Sequence, residues 1–207
     1  GGIRRWPDAF RETEMNRVGN GLWSGEHYEK ALVVREAELS IYRRLDASEQ
    51  SLLIVQGNLA TTSDALGRLD EGMRLRQDTY SGWLKLKGDA HEETLREATS
   101  CAITHSNLQR YAEAKALLLK TIPVALFVLG EGHDHTLRMR TVYATALYQD
   151  PGATLDDIRE AVTTLEEIER TARRVLGGTH PATGGIELAV QYARATLRAR
   201  ETPQEGA

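Results

Sequence analysis

Gly88-Asp89-Ala90-His91-Glu92-Glu93-Thr94-Leu95-Arg96 returns 42 residues later as Gly130-Glu131-Gly132-His133-Asp134-His135-Thr136-Leu137-Arg138. It returns again, 47 residues on, as Gly177-Gly178-Thr179-His180-Pro181-Ala182-Thr183. A second marker keeps the same time: Arg68-Leu69-Asp70-Glu71-Gly72 becomes Arg110-Tyr111-Ala112-Glu113-Ala114 after 42 residues and Ile158-Arg159-Glu160-Ala161 five residues late. Upstream, His27-Tyr28-Glu29-Lys30-Ala31 matches Arg68–Gly72 at an offset of 41, and Ala60, Ala102 and Ala144 are spaced by 42. The five extra residues fall in Asp150-Pro151-Gly152-Ala153-Thr154, a stretch of turn formers, where an insertion lengthens a loop and leaves the flanking helical patterns in phase. A fixed period of this length is the signature of a repeat architecture.

Between the markers the apolar residues recur at helical spacing. Leu117, Leu118, Ile122, Leu126 and Leu129 mark one helix, and Val162, Leu165, Ile168, Ala172 and Val175 another. Helices are predicted near 8–19, 25–45, 48–66, 68–86, 91–108, 110–129, 134–149, 154–176 and 181–200. Gly88, Gly130 and Gly177 stand where a left-handed helix stop favours glycine. Asp89, Asp134, Thr154 and Thr179 are the expected N-caps, with Pro181 in the first turn of the last helix. Pro123 falls inside a helix and is expected to kink it or remove a hydrogen bond. Gly184-Gly185 weakens the last one.

The fold class that follows is all-α: a superhelical array of antiparallel helix pairs, about four and a half repeats. The units are expected near 6–45, 46–87, 88–129, 130–176 and 177–200, forming one domain over 1–200 with a disordered tail at 201–207. Each pair buries its apolar stripe against the next. A small residue at one fixed point, as at Ala60, Ala102 and Ala144, lets two helices approach closely.

The 207 residues are 41% hydrophobic, 27% charged and 6% aromatic, with only five prolines and a net charge of −4. No run of five Lys/Arg occurs, which argues against a nucleic-acid partner. The longest apolar stretch, Ala116–Leu129, is broken by Lys120, Thr121 and Pro123, so no membrane insertion is expected. The lone Cys101 falls in a helical pattern and reads as a small core residue. It excludes an intrachain disulfide and, with no signal peptide in view, suggests a cytoplasmic location.

The repeat resembles the tetratricopeptide family in its 42-residue, kinesin-light-chain-like form. That form reads His-Pro-x-Thr-Leu, then Asn-Leu-Ala, Gly-Arg-Tyr-x-Glu-Ala and Leu-Gly. Asn58-Leu59-Ala60 with Gly67-Arg68 match one unit. His91, Thr94-Leu95, Ala102, Arg110–Ala114 and Leu129-Gly130 match the next. His133, Thr136-Leu137, Ala144, Glu160-Ala161 and Leu176-Gly177 match a third, and His180-Pro181-Ala182-Thr183 opens a last half unit. The resemblance runs from about Trp6 to Arg200. It implies a non-catalytic scaffold or adaptor that holds a partner segment in a concave groove lined by the first helix of each pair. The pattern's Asn is kept at Asn58 but becomes Ser100 and Val142, so the family's peptide-holding device is largely lost.

Steps of three to four residues from Asn58 select Ile54, Asn58 and Thr62 as groove residues. Their equivalents are Arg96, Ser100 and Thr104, then Arg138 and Val142. Arg96 and Arg138 are expected to project in parallel toward an acidic peptide segment, or, in the plainer reading, to pair with Glu93, Glu97 or Asp134. No catalytic residues are assigned, because the sequence holds no nucleophile motif and the paired acids Glu92-Glu93, Asp156-Asp157 and Glu166-Glu167 read as solvated helix faces. No metal or cofactor is assigned either, since His91, His133 and His180 fall in successive turns. Trp83 is read as core or as a partner anchor. Two other roles stay open: a regulatory or accessory segment of a larger enzyme, and a permanently assembled structural subunit. Oligomeric state is not legible.

Overall fold

The computed structural model describes the backbone of residues 8–202 and the side chains from residue 14 to 202. Trp6 and residues 203–207 of the expected tail lie outside the described residues. Among the described residues there are nine α-helices and no strand: α1 (Asp8–Ser24), α2 (Tyr28–Arg44), α3 (Glu49–Ala65), α4 (Leu69–Lys87), α5 (Glu92–Asn107), α6 (Tyr111–Val128), α7 (Asp134–Gln149), α8 (Leu155–Val175) and α9 (Pro181–Glu201). The period therefore placed eight helices within three residues at each end. The exception is α1, which runs past Gly19 and Gly21 to Ser24. Glu201, expected in the tail, closes α9 and holds Arg159 at 3.0 Å.

The described residues form two compact units that divide between Gly88 and Asp89. In the first, α1 packs on α2, α2 on α3 and α3 on α4. In the second, each helix from α5 to α9 packs on the next, and the first helices α5, α7 and α9 also touch in sequence.

Four positions are buried in every second helix, and the period superimposes them. They are Ala31, Arg35, Glu38 and Tyr42 in α2, and Gly72, Arg76, Thr79 and Trp83 in α4. In α6 they are Ala114, Leu118, Thr121 and Ala125, and in α8 Ala161, Leu165, Ile168 and Ala172. The second unit is apolar at three or all four of these positions. The first carries charge there: Arg76 donates through Nε and Nη2 to Asp64 at 2.9 and 2.8 Å, and to Thr61 at 3.2 Å. Trp83, weighed as a partner anchor, is 3% exposed and sits where Ala125 and Ala172 are buried, so it belongs to the core.

The first of the four positions is always small. Ala60, Ala102 and Ala144, all 0% exposed, are its counterparts on the preceding helices. Ala102 with Ala114, and Ala144 with Ala161, share a core cluster. In α4 the residue is Gly72, where an added Cβ would lie 3.2 Å from the Ala60 carbonyl oxygen and 2.0 Å from Asp64 Oδ1. Asp64 cannot simply swing away, because Arg76 holds it.

The helix starts differ from expectation. The N-caps of α5, α7 and α9 are not Asp89, Asp134 and Thr179 but the repeated histidines. His91, His133 and His180 each accept, through Nδ1, a backbone N–H two residues on, at 3.2 Å in all three. An imidazole placed this way satisfies an orphan amide as a Ser or Asp would. Thr154 caps α8 as expected, in a reciprocal box with Asp157. At the stops, Gly88, Gly130 and Gly177 take φ of +84°, +89° and +89°. α6 continues as one helix through Pro123. The inserted turn is tied down: Asp150 accepts from Gly152 N–H at 2.9 Å and from Lys115 at 2.8 Å, and Arg200 donates to the Ala153 carbonyl at 3.1 Å.

Three substitutions test the packing and the caps. Gly72→Ala should destabilise the protein by about 1–3 kcal/mol through overpacking, although alanine is the better helix former; chemical denaturation measures it. His91→Ala should cost about 1 kcal/mol, the usual loss on removing a cap, while Asp89→Ala should leave the denaturation midpoint within experimental error.

Candidate binding cleft on the first helices

The expected groove residues divide by depth, with the same gradient on three helices. Ile54 is exposed, Asn58 half-buried and Thr62 buried. Arg96, Ser100 and Thr104 repeat that order, as do Arg138, Val142 and Ala146. The cause is helix geometry: four residues exceed one turn by about 40°, so two such steps rotate a side chain by about 80° into the core. Thr62 and Thr104 therefore do not reach an open face. Their hydroxyls donate to the carbonyls of Asn58 at 3.0 Å and Ser100 at 3.2 Å.

In the first unit, Asn58 Nδ2 donates to the Asn16 side-chain oxygen at 3.4 Å. Asn16 stands one period before Asn58, so the pattern's Asn occurs twice, in α1 and α3. Subtracting 42 from 58 would have found it.

In the second unit Arg96 pairs with Glu93 in its own first turn, the plainer of the two readings. Arg138 is exposed and carries no ion pair among the described residues. It stands at the edge of a cleft of about 360 Å³ between α7 and α9. Leu137, Thr141 and Val142 line one side, Ala182, Gly185 and Ile186 the other, and Asp134 lies at the same edge. A Cβ on Gly185 would meet nothing within 4 Å, so the glycine widens the cleft by the volume of a side chain. An apolar recess with one unpaired cation at its rim suits an apolar side chain flanked by a carboxylate.

Behind these residues His135 is buried between α5 and α7, its Nε2 at 3.3 Å from the Thr99 hydroxyl. Burial lowers its pKa, and the Leu95 carbonyl opposes this; Arg138 and Arg96 push it further down. His133 is occupied as a cap, and among the described residues no three His, Cys, Asp or Glu side chains are grouped to hold a metal ion. The paired acids are also engaged: Glu93 with Arg96, Asp156 with Arg159, Asp157 in the capping box and Glu166 with Arg194. A larger recess, about 650 Å³, is lined by Arg140, Arg170 and Arg174 together with Glu131 and Glu167. There Arg140 pairs with Glu167 at 3.6 Å and the Thr171 hydroxyl donates to Glu131 at 3.2 Å. No described helix is long and apolar enough to cross a membrane.

No family model matches the chain, and no curated protein matches its sequence. Among solved structures, a Podosopora anserina protein described as a kinesin light chain with nearly identical TPR-like repeats aligns, in a singly substituted form, with a TM-score of 0.77, at 19% identity over 95% of this chain and 91% of that one. A second structure of that protein gives 0.69 at 19% identity over 95% and 98%. BtubC (BKLC) from P. vanneervenii gives 0.70 at 14% identity over 97% and 88%. The chain is thus an all-α repeat of helix pairs. Its fold is tetratricopeptide-like, of the kinesin-light-chain kind.

The buried histidine makes a pH prediction. With its folded pKa below the ordinary imidazole value, His135 binds fewer protons in the folded than in the unfolded state. Stability should be constant above about pH 7 and fall as pH drops through roughly 6.5 and below. Thermal melts from pH 7.5 to 5.5 should show the fall, and His135→Gln should flatten part of it.

Proposed function

We propose that the chain is a non-catalytic protein-interaction scaffold that holds a partner segment on its first-helix faces, with the α7/α9 cleft as the principal contact. The observation that carries this reading is the pairing of an apolar recess with Arg138, an exposed charge that forms no ion pair among the described residues. The ligand it suits is a peptide with an apolar anchor next to an acidic residue. Val142 and Ile186 would hold the anchor, and Arg138 would take the carboxylate in a bidentate pair. Asp134 at the same edge would disfavour a second acidic group there and so set the spacing. Arg96, answered by Glu93, would contribute less. Ile54 and the Asn16–Asn58 pair offer the first unit a separate, more polar contact. We also retain the one-domain division of residues 1–200 into five repeat units as part of this reading, and a cytoplasmic setting as its natural context.

The glycines separate binding from stability. Gly184 and Gly185 both lie within α9, where glycine costs about 1 kcal/mol relative to a good helix former. Gly184→Ala should raise the melting temperature and leave binding intact. Gly185→Leu should also raise it, yet fill the cleft and abolish binding. A displayed random-peptide library, panned against wild type, should return acidic–apolar sequences that lose at least tenfold in affinity for Arg138→Glu and Gly185→Leu. Selected peptides that bind both variants as well as wild type would move the contact elsewhere. A selection with no enriched sequence would sink the cleft as a binding site.

A further inference from the structure

The second unit carries a concavity that shares no residue with the α7/α9 cleft. It opens between the end of α6, the middle of α7 and the C-terminal half of α8, with a volume of about 650 Å³. Recesses of that size hold ligands. Three guanidinium groups line it, Arg140 from α7 and Arg170 and Arg174 from α8. Arg170 and Arg174 are one turn apart on the same face, about 6 Å along the helix, and both are exposed. The Arg140 side chain is only 17% exposed, so its charge is held inside the recess.

These donors outnumber their acceptors. Arg140 meets Glu167 at 3.6 Å, too far for a hydrogen bond. Glu131 accepts from the Thr171 hydroxyl at 3.2 Å. Among the described residues Arg170 and Arg174 form no ion pair, and none of the three arginines donates a hydrogen bond. Three positive charges against two negative ones leave one in excess. Arg174 complements the dipole at the end of α8, but Arg173 stands in the same turn, and neither Arg140 nor Arg170 lies at a helix end.

The period shows that the fold does not ask for this set. In α6 the positions of Glu167, Arg170, Thr171 and Arg174 are Lys120, Pro123, Val124 and Phe127, and in α4 they are Asp78, Ser81, Gly82 and Lys85. Arg140 falls where α5 has Ala98, 0% exposed, and α3 has Gln56. An arginine in place of a buried alanine has to carry its head outward, and here it does so without gaining a hydrogen bond.

A lone carboxylate would only exchange with Glu167 on Arg140. A phosphate monoester carries about −1.5 to −2 charges and three acceptor oxygens, enough to engage the unanswered Arg170 and Arg174 together with Arg140. The planar guanidinium fork suits that geometry. Leu126, 38% exposed on the α6 side, offers an apolar contact beside the charge, which a free anion would leave unused. Glu131 and Glu167 disfavour further acids around the phosphate.

We propose that this recess is a second binding site, for a phosphorylated side chain of a partner protein, with Arg140, Arg170 and Arg174 holding the phosphate.

Bead-bound peptide libraries with a fixed central phosphoserine or phosphotyrosine, and matched libraries with serine or glutamate there, test this when screened with the labelled full chain. A phosphorylated library should yield binders, and their serine and glutamate forms should bind about tenfold more weakly or worse. Arg170→Gln/Arg174→Gln should weaken the selected phosphopeptides by about tenfold or more with helicity unchanged. Glu131→Gln should strengthen them several-fold, since it removes a repelling charge and keeps an acceptor for Thr171. Arg138→Glu, in the other cleft, should leave them unaffected. Inorganic phosphate should compete only at millimolar concentration. A screen that enriches no phosphopeptide overturns the proposal. So do glutamate forms that bind equally well, or binding indifferent to the Arg170/Arg174 variant. Inorganic phosphate that binds as tightly as the selected peptides overturns the partner-borne source and makes the ligand a free anion.

Discussion

Everything in this protein hangs on how closely the two helices of a pair can cross. A helix pair joined by a short turn gains its stability from the strip it buries, and that strip narrows if a bulky side chain props the axes apart. Ala60, Ala102 and Ala144 on the first helices, and Ala31, Gly72, Ala114 and Ala161 on the second, keep that approach close. Once it is set, the residues one turn further along must be whatever fills the remaining space. Leucine fills it in α6 and α8, as Leu118 and Leu165. In α4, arginine fills it by reaching back to Asp64, whose position in turn requires the neighbouring residue to have no side chain. The first unit thus carries charged residues at these positions beside an apolar cluster of Leu32, Leu39, Tyr42, Val55 and Leu59, and the second is apolar at three or all four of them.

This constraint explains what could be read from the chain directly. Repeating geometry imposes a repeating sequence, so helix number, order and limits follow from the period, and the five-residue insertion shows itself as a late marker. The fold was therefore legible almost to its helix ends. Of the four expected caps only Thr154 caps a helix; the other three were missed because the residue types normally associated with capping stood close by at Asp89, Asp134 and Thr179. The periodic histidines do the work with a ring nitrogen whose lone pair has the same reach. Their recurrence was visible, but its meaning needed coordinates.

The proposed binding face was half legible. Arg138 and Val142 lie where the spacing put them, at the edge and wall of a cleft. Thr62 and Thr104 did not follow, since each stands eight residues from the exposed Ile54 or Arg96, a separation that accumulates about 80° of rotation. The cleft's far wall, on α9, was missed. Gly185 announces itself in sequence only as a helix weakener, and nothing in a linear reading says that a missing side chain is also an opening. Asn16 was within reach of the period, yet α1 has no second marker to fix its register. Trp83 could have been placed in the core by noting that Ala125 and Ala172 share its position.

The inserted turn between α7 and α8 bears on how such a chain can change. Five residues entered there without disturbing the helix before or after, because the loop is anchored at both ends, by Lys115 on Asp150 and by the capping box of Thr154 with Asp157. Arg200, far along α9, holds the middle. The junction therefore behaves as a mechanical splice, where added length is absorbed locally and never transmitted as a change of phase. Repeat proteins can grow, shrink and borrow segments at such splices, and the register of every later helix survives the edit.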